Sequence, residues 1–305
     1  MTVPSAARVC PLLERPAATR RLPYAPPPWE LLECLESGFV FLGNPPGYEA
    51  LEQQYAWERT SAQEMRARRQ AEPRLHAASA AYGTFRRRVL GRNKVAVLCR
   101  RLLADSAAGP VRLLDVGCGD GRSLERIVAG LDPGVARRTV PHGVELSRAL
   151  ARAAAERLAA MGGFCMQASA TDGLARLSAG QFRLILLASY LEHEIQPLPV
   201  LRRCRELLDG DGQVVVKVPN YACWNRRLRG ARWCGFRWPD HVNYFTPATL
   251  REMATRAGLR VARMAFRDRH PLSDSLYAVL TQARPWRRSL CRIPGGSACS
   301  SAHRP

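Results

Sequence analysis

Val111-Arg-Leu-Leu-Asp-Val-Gly-Cys-Gly-Asp-Gly121 decides how this 305-residue chain is read. An apolar run ends in three alternating glycines, and a helical pattern begins at Arg122. Glycines at 117, 119 and 121 permit positive φ and let a ligand approach a main chain that carries no Cβ there. Their G-x-G-x-G spacing differs from the G-x-G-x-x-G that brings a pyrophosphate onto the amides of a helix start. Asp115 precedes the glycines and Asp120 lies among them, and carboxylates in those places repel a phosphate and attract an ammonium group. The stretch predicts a strand whose end forms the floor of a nucleoside-binding site.

Working outward, apolar runs alternate with helical patterns from residue 111 onward. The pattern predicts strands near 112–117, 139–146, 164–168, 183–189 and 212–218, with helices at 121–130, 147–161 and 197–208. Thr246-Pro247 reads as an N-cap followed by proline at the first helical position, with Gly258 closing that helix. Two further strands are expected at 259–267 and 276–283. Such alternation specifies an α/β fold whose parallel sheet is covered on both faces. Glu145 ends the run Thr139 to Leu146, one strand-helix-strand unit after the first glycine, where ribose recognition places a carboxylate.

Leu113 to Gly121 (LLDVGCGDG) resembles motif I of class I S-adenosylmethionine-dependent methyltransferases, and Gly143-Val-Glu-Leu146 resembles the acidic strand end that follows it. With later features the resemblance covers roughly residues 80 to 284. It implies a doubly wound, seven-stranded, mostly parallel Rossmann-like sheet, its last strand antiparallel and inserted beside the fifth, with an N-terminal helical cap. It also implies S-adenosyl-L-methionine as cofactor, with Asp115, Gly117 and Gly119 around its methionine part and Glu145 on the ribose hydroxyls. Where relatives carry an Asp toward the adenine, Ser169 stands here; Asp172 either serves instead or caps a helix. Ser189-Tyr-Leu-Glu-His193 resembles the L-E-H edge of methyltransferases that act on quinone precursors, which makes His193 a candidate general base. The alternative is a histidine that shapes the loop. Some relatives hold a divalent metal with E-x-x-E-H and a further histidine. Ser189 replaces the first acid here, leaving Glu192 and His193, a weak pair for a hard cation. The expectation is therefore no metal, with Glu192 a structural carboxylate at a helix start.

The fifth strand is followed by an aromatic and basic segment, Trp224 to Phe245, whose place in the order puts it over the acceptor pocket. Trp233, Phe236, Trp238, Tyr244 and Phe245 are expected to form an apolar wall there, and Asp240 with His241 a second acid-base candidate. The alternative is a packed loop whose aromatics cover the sheet edge. Asn44-Pro-Pro-Gly-Tyr48 resembles the N-P-P-Y loop of amino-methyltransferases, but it has an extra glycine and precedes the cofactor loop, so it reads as a turn.

Four regions are expected: residues 1–30 as a flexible Pro/Arg-rich tail, 31–105 as the helical cap, 106–285 as the methyltransferase domain and 286–305 as a disordered tail. Helices are predicted over 48–69 and 77–103. Cys10 and Cys34 resemble a zinc knuckle in which Leu13 and Ser37 stand where second cysteines would be, and two thiolates cannot close such a site. The net charge is +20, nearly all of it arginine, since Lys94 and Lys217 are the only lysines. Arginines gather beside aromatic rings at Thr84 to Val89 and at Trp224 to Arg229, which makes nucleic acid a secondary partner. No apolar segment reaches the length of a membrane span, no signal sequence is evident, and the ten cysteines form no close C-x-x-C pair. Those features predict reduced thiols and a cytoplasmic location. The expected activity is methyl transfer to a small-molecule or lipid-linked acceptor, most simply at oxygen. The alternatives are an RNA methyltransferase and a non-catalytic cofactor-binding interaction module.

Overall fold

The computed structural model describes residues 8–47, 50, 70, 94–104, 106 and 109–283. Its strands are β1 (Thr19–Leu22), β2 (Leu31–Cys34), β3 (Val40–Leu42), β4 (Val111–Val116), β5 (Thr139–Glu145), β6 (Phe164–Gln167), β7 (Phe182–Ala188), β8 (Leu208–Pro219), β9 (Asn243–Tyr244), β10 (Leu259–Arg263) and β11 (Ser275–Gln282). Its helices are α1 (Lys94–Ala104), α2 (Arg122–Val128), α3 (Pro133–Ala136), α4 (Arg148–Ala159), α5 (Ala170–Ala175), α6 (Pro197–Leu207), α7 (Trp224–Arg229) and α8 (Pro247–Arg256).

Seven strands form one sheet in the order β10-β11-β8-β7-β4-β5-β6. Pairings among β4 to β8 are parallel, while β11 runs antiparallel between β8 and β10. This is the doubly wound topology that the resemblance implies, with its last strand inserted beside the fifth parallel one. Side chains alternate across it: Leu113, Leu184, Leu186 and Val215 pack against α1, α2 and α4, whereas Leu114, Ile185, Leu187 and Val216 pack against α6 and α8. Both faces being buried explains why these strands read as continuous apolar runs. Strand order reverses between β4 and β7, so the crevice beyond their carboxyl ends is where an open α/β sheet takes a ligand. The expected N-cap of α8 is present, with Thr246 and Thr249 forming a reciprocal capping box and Gly258 at φ +72° beyond the end.

The N-terminal segment departs from its expected form. Residues 8–47, divided by composition between a tail and a helical cap, include β1, β2 and β3, which join β9 in a four-stranded antiparallel sheet. Strands of three or four residues are too short to display a period, and prolines between them mark turns rather than disorder. Cys10 and Cys34 each open a turn, in which Leu13 and Glu14 amides donate to the Cys10 carbonyl and the Gly38 amide donates to that of Cys34. The Cys10 sulfur lies 3.5 Å from the Ser37 hydroxyl. All eight cysteines among the described residues are free thiols. The readings for 48–69 and 77–93, the arginine cluster at Thr84 to Val89 and the tail 286–305 lie essentially outside the described residues. No helix among the described residues is long and apolar enough to cross a membrane.

Candidate functional site

A cavity of about 710 Å³ opens at the carboxyl ends of β4, β5 and β7 and meets Asp115, Gly117, Gly119, Glu145 and Ser169 on one side. The loop after β4 needs its glycines: φ is +73° at Gly117 and +58° at Gly119. A Cβ on Gly117 would stand 2.6 Å from the Tyr190 ring, while Gly119 faces open space. The loop is pinned to the end of β5, where the Val144 carbonyl accepts from the Gly117 amide at 2.7 Å. Glu145 accepts from the Gly119 amide through Oε2 and from the Ser147 amide through Oε1, each at 2.9 Å. A carboxylate offers about four acceptor sites, so these bonds orient it without exhausting it. Asp115 is buried, and burial together with Glu145 pushes its pKa well above the usual carboxylate range. A cationic ligand would relieve that cost. Ser169 lines the cavity as the N-cap of α5: its hydroxyl accepts from the Asp172 amide at 3.2 Å and donates to the Asp172 carboxylate at 2.7 Å. Asp172 thus serves the helix cap and is not part of the cavity lining.

The opposite side is built from the turn after β7. Ser189 has φ +62°, and Lys217 at the end of β8 donates to its hydroxyl at 2.9 Å. Glu192 is buried with its Oε2 lacking a partner among the described groups. Burial pushes its pKa up to about 7, against the pull of its own amide, Lys217 and Arg237. Burial, and then the Arg237 guanidinium, press His193 down to about 4. The Nδ1 atoms of His193 and His241 lie 3.0 Å and 2.8 Å from the carbonyls of Asp240 and Gly235. A carbonyl only accepts, so both Nδ1 atoms carry the proton, and in neutral His193 the Nε2 atom presents a lone pair. The rings meet at 84° with centroids 4.6 Å apart. Ligand atoms of Glu192, His193 and His241 lie within 4.8 Å of one another.

Two expectations change here. The ligand pair of Glu192 and His193 becomes a trio, because the fold returns His241 to the same place; nothing local in the sequence signals that return. Glu192 does not stand at a helix start, since α6 begins at Pro197 and it is Glu194 that accepts from the Gln196 amide at 2.7 Å. Lys217 and Arg237, which sequence reasoning left without a role, also line the cavity.

The roof, residues 220–245, turns its aromatics elsewhere than expected. Trp233, Phe236 and Tyr244 pack with Tyr221, Leu31 and Val40, against the N-terminal sheet, and Trp238 stacks on Phe236. Phe245 enters the main core. The expected apolar wall is therefore a second core, and the roof contributes Cys234, Arg237, Asp240 and His241 to the cavity. Asp274 anchors it by accepting from Trp233 Nε1 at 2.7 Å and from Asn225 Nδ2 at 3.0 Å. Near His241, the Glu192 carbonyl accepts from the Val242 amide at 2.7 Å, and Asn243 Nδ2 donates to the Leu191 carbonyl at 2.7 Å. Arg8 reaches across to the Val242 carbonyl at 3.0 Å.

A methyltransferase domain model matches residues 76–263. A ubiquinone biosynthesis O-methyltransferase of Cereibacter sphaeroides is 30% identical over 163 residues, covering 49% of this chain and 60% of that protein. One of the same name from Ralstonia nicotianae is 27% identical over 172 residues, covering 53% and 68%. The chain thus spans 60% of the length of the Cereibacter relative. Among solved structures, the CcbJ methyltransferase from Streptomyces caelestis aligns with a TM-score of 0.45 and 23% identity, over 62% of this chain and 88% of that one. Extending over more than half of the chain, the family match shows that the protein belongs to the methyltransferase domain family, with the class I fold and S-adenosyl-L-methionine as its cofactor.

Proposed function

We propose that the protein transfers the methyl group of S-adenosylmethionine to a hydroxyl oxygen of a small-molecule or lipid-linked acceptor. The observation that carries this reading is the convergence of Glu192, His193 and His241 on the cavity that also holds Asp115, Gly119 and Glu145. The likeness to ubiquinone biosynthesis O-methyltransferases supports oxygen as the accepting atom. When bound, the cofactor supplies an electrophilic methyl on a sulfonium. Asp115 and the glycine turn receive its cationic end, Glu145 orients the ribose, and Ser169 lies beside the base. The acceptor hydroxyl sits under Arg237 and His241, oriented by the Nε2 lone pair of His193. Its proton goes to Glu192 as its oxygen takes the methyl, because a base works best with a pKa near the working pH, and about 7 suits this better than the value of about 4 at His193.

A second reading is favoured by the third donor: Glu192, His193 and His241 form a seat for a divalent cation. Turnover measured after chelation separates the two, since the proton-transfer reading requires activity to survive. The wider test is calorimetric titration with S-adenosylmethionine, followed by a screen of phenolic and lipid-linked phenolic acceptors. Binding with turnover on a phenol supports the proposal. Tight binding without turnover on any pool supports a non-catalytic module.

A further inference from the structure

We infer that the edge formed by α7 and the loop before β11 is a docking surface for an anionic lipid bilayer. Four large apolar side chains stand out there: Trp224 at 52% exposure, Leu228 at 85%, Phe266 at 61% and Leu272 at 65%. Trp224 and Leu228 share one face of α7, four residues apart. The Trp224 amide donates to the Pro271 carbonyl at 2.8 Å, which sets that helix beside the loop carrying Leu272. Phe266 belongs to the same loop, its ring against His270.

Charge complementarity selects the occupant. Arg227, Arg232, Arg267 and Arg269, close in sequence to these apolar groups, are exposed. The acids of the two segments are turned inward: Asp268 is 2% exposed and paired with Lys94 at 3.0 Å and Arg263 at 3.2 Å, and Asp274 is engaged by Asn225 and Trp233. Exposed apolar tips flanked in the chain by exposed arginines match the boundary between acyl chains and anionic headgroups. Nucleic acid is the poorer match, because the two most exposed groups, Leu228 and Leu272, offer no ring for a base to stack on. Through Asn225 and Asp274 this edge adjoins the cavity, so docking would bring the acceptor side to the membrane surface. The surface stands apart from the methyl-transfer reading, since its assay needs neither cofactor nor acceptor.

The test is flotation of the full chain with vesicles of phosphatidylcholine alone or mixed with phosphatidylglycerol, at low and high salt. The expected result is binding about tenfold stronger to the anionic vesicles, weakened by salt. Leu228→Glu combined with Leu272→Glu should lower it about tenfold while S-adenosylmethionine titrates as in the parent protein. Should that pair fail to fold, Arg227→Gln with Arg267→Gln and Arg269→Gln decides, and must lower anionic-vesicle binding. Equal flotation with both vesicle types overturns the inference, as does wild-type flotation of the folded leucine pair. So does binding of single-stranded RNA, lost in the arginine variant, by a protein that ignores vesicles.

Discussion

The two sides of the cavity are built by different means. On the side proposed for the cofactor, contacts join adjacent strand ends or stay within one turn: Glu145 at the end of β5 reaches the Gly119 amide after β4, and Ser169 caps its own helix. On the acceptor side, each important contact joins distant parts of the chain. His193 meets His241, Asp274 holds Trp233 and Asn225, and Arg8 bonds the Val242 carbonyl. The contrast teaches that the side proposed for the cofactor is set by a local motif and the side proposed for the acceptor by tertiary assembly.

The largest effect should come from Glu192→Gln, with turnover falling about a hundredfold to ten-thousandfold and cofactor affinity unchanged. In chelator, the parent rate should rise as pH passes upward through about 7, since the carboxylate accepts a proton only when ionised. A flat profile around neutrality would give the role to His193, which stays neutral above about 4. Glu145→Ala should weaken S-adenosylmethionine binding about a hundredfold in calorimetry, from the loss of charge-assisted hydrogen bonds. Parent-like affinity would erase the claim that the cofactor is held locally. Asp274→Ala should cost about 1–3 kcal/mol in thermal unfolding by orphaning the buried Trp233 N–H, and should raise the acceptor KM more than it alters cofactor affinity. An equal loss on both sides would show the two halves to be one unit.

The smallest effect concerns protons. Because Asp115 has a raised pKa and faces the expected sulfonium, binding should release a fraction of a proton and weaken as pH falls. Calorimetry in buffers of different ionisation enthalpy measures that release, and Asp115→Asn should abolish it.

What could be read from the sequence follows the same division. Asp115, Gly117, Gly119 and Glu145 sit where strand ends and φ requirements announce themselves locally, and the boundaries of β4 to β7 follow from buried apolar runs. The trio at Glu192 could not be counted, because His241 arrives from beyond three further elements, α6, β8 and α7. The aromatic residues of the roof were legible as core but not as to which core: Trp233 and Phe236 pack on β2 and β3, whose own strands were too short to be seen.

The pairing of β3 with β9 has a further consequence, for the order of assembly. Val40 pairs with Tyr244, so about 200 residues must be made before the N-terminal sheet receives its fourth strand. During synthesis β3 presents an open edge, free to accept any passing strand. The N-terminal sheet can close only after β9 has been made, and its earliest-made residues wait longest for their partner.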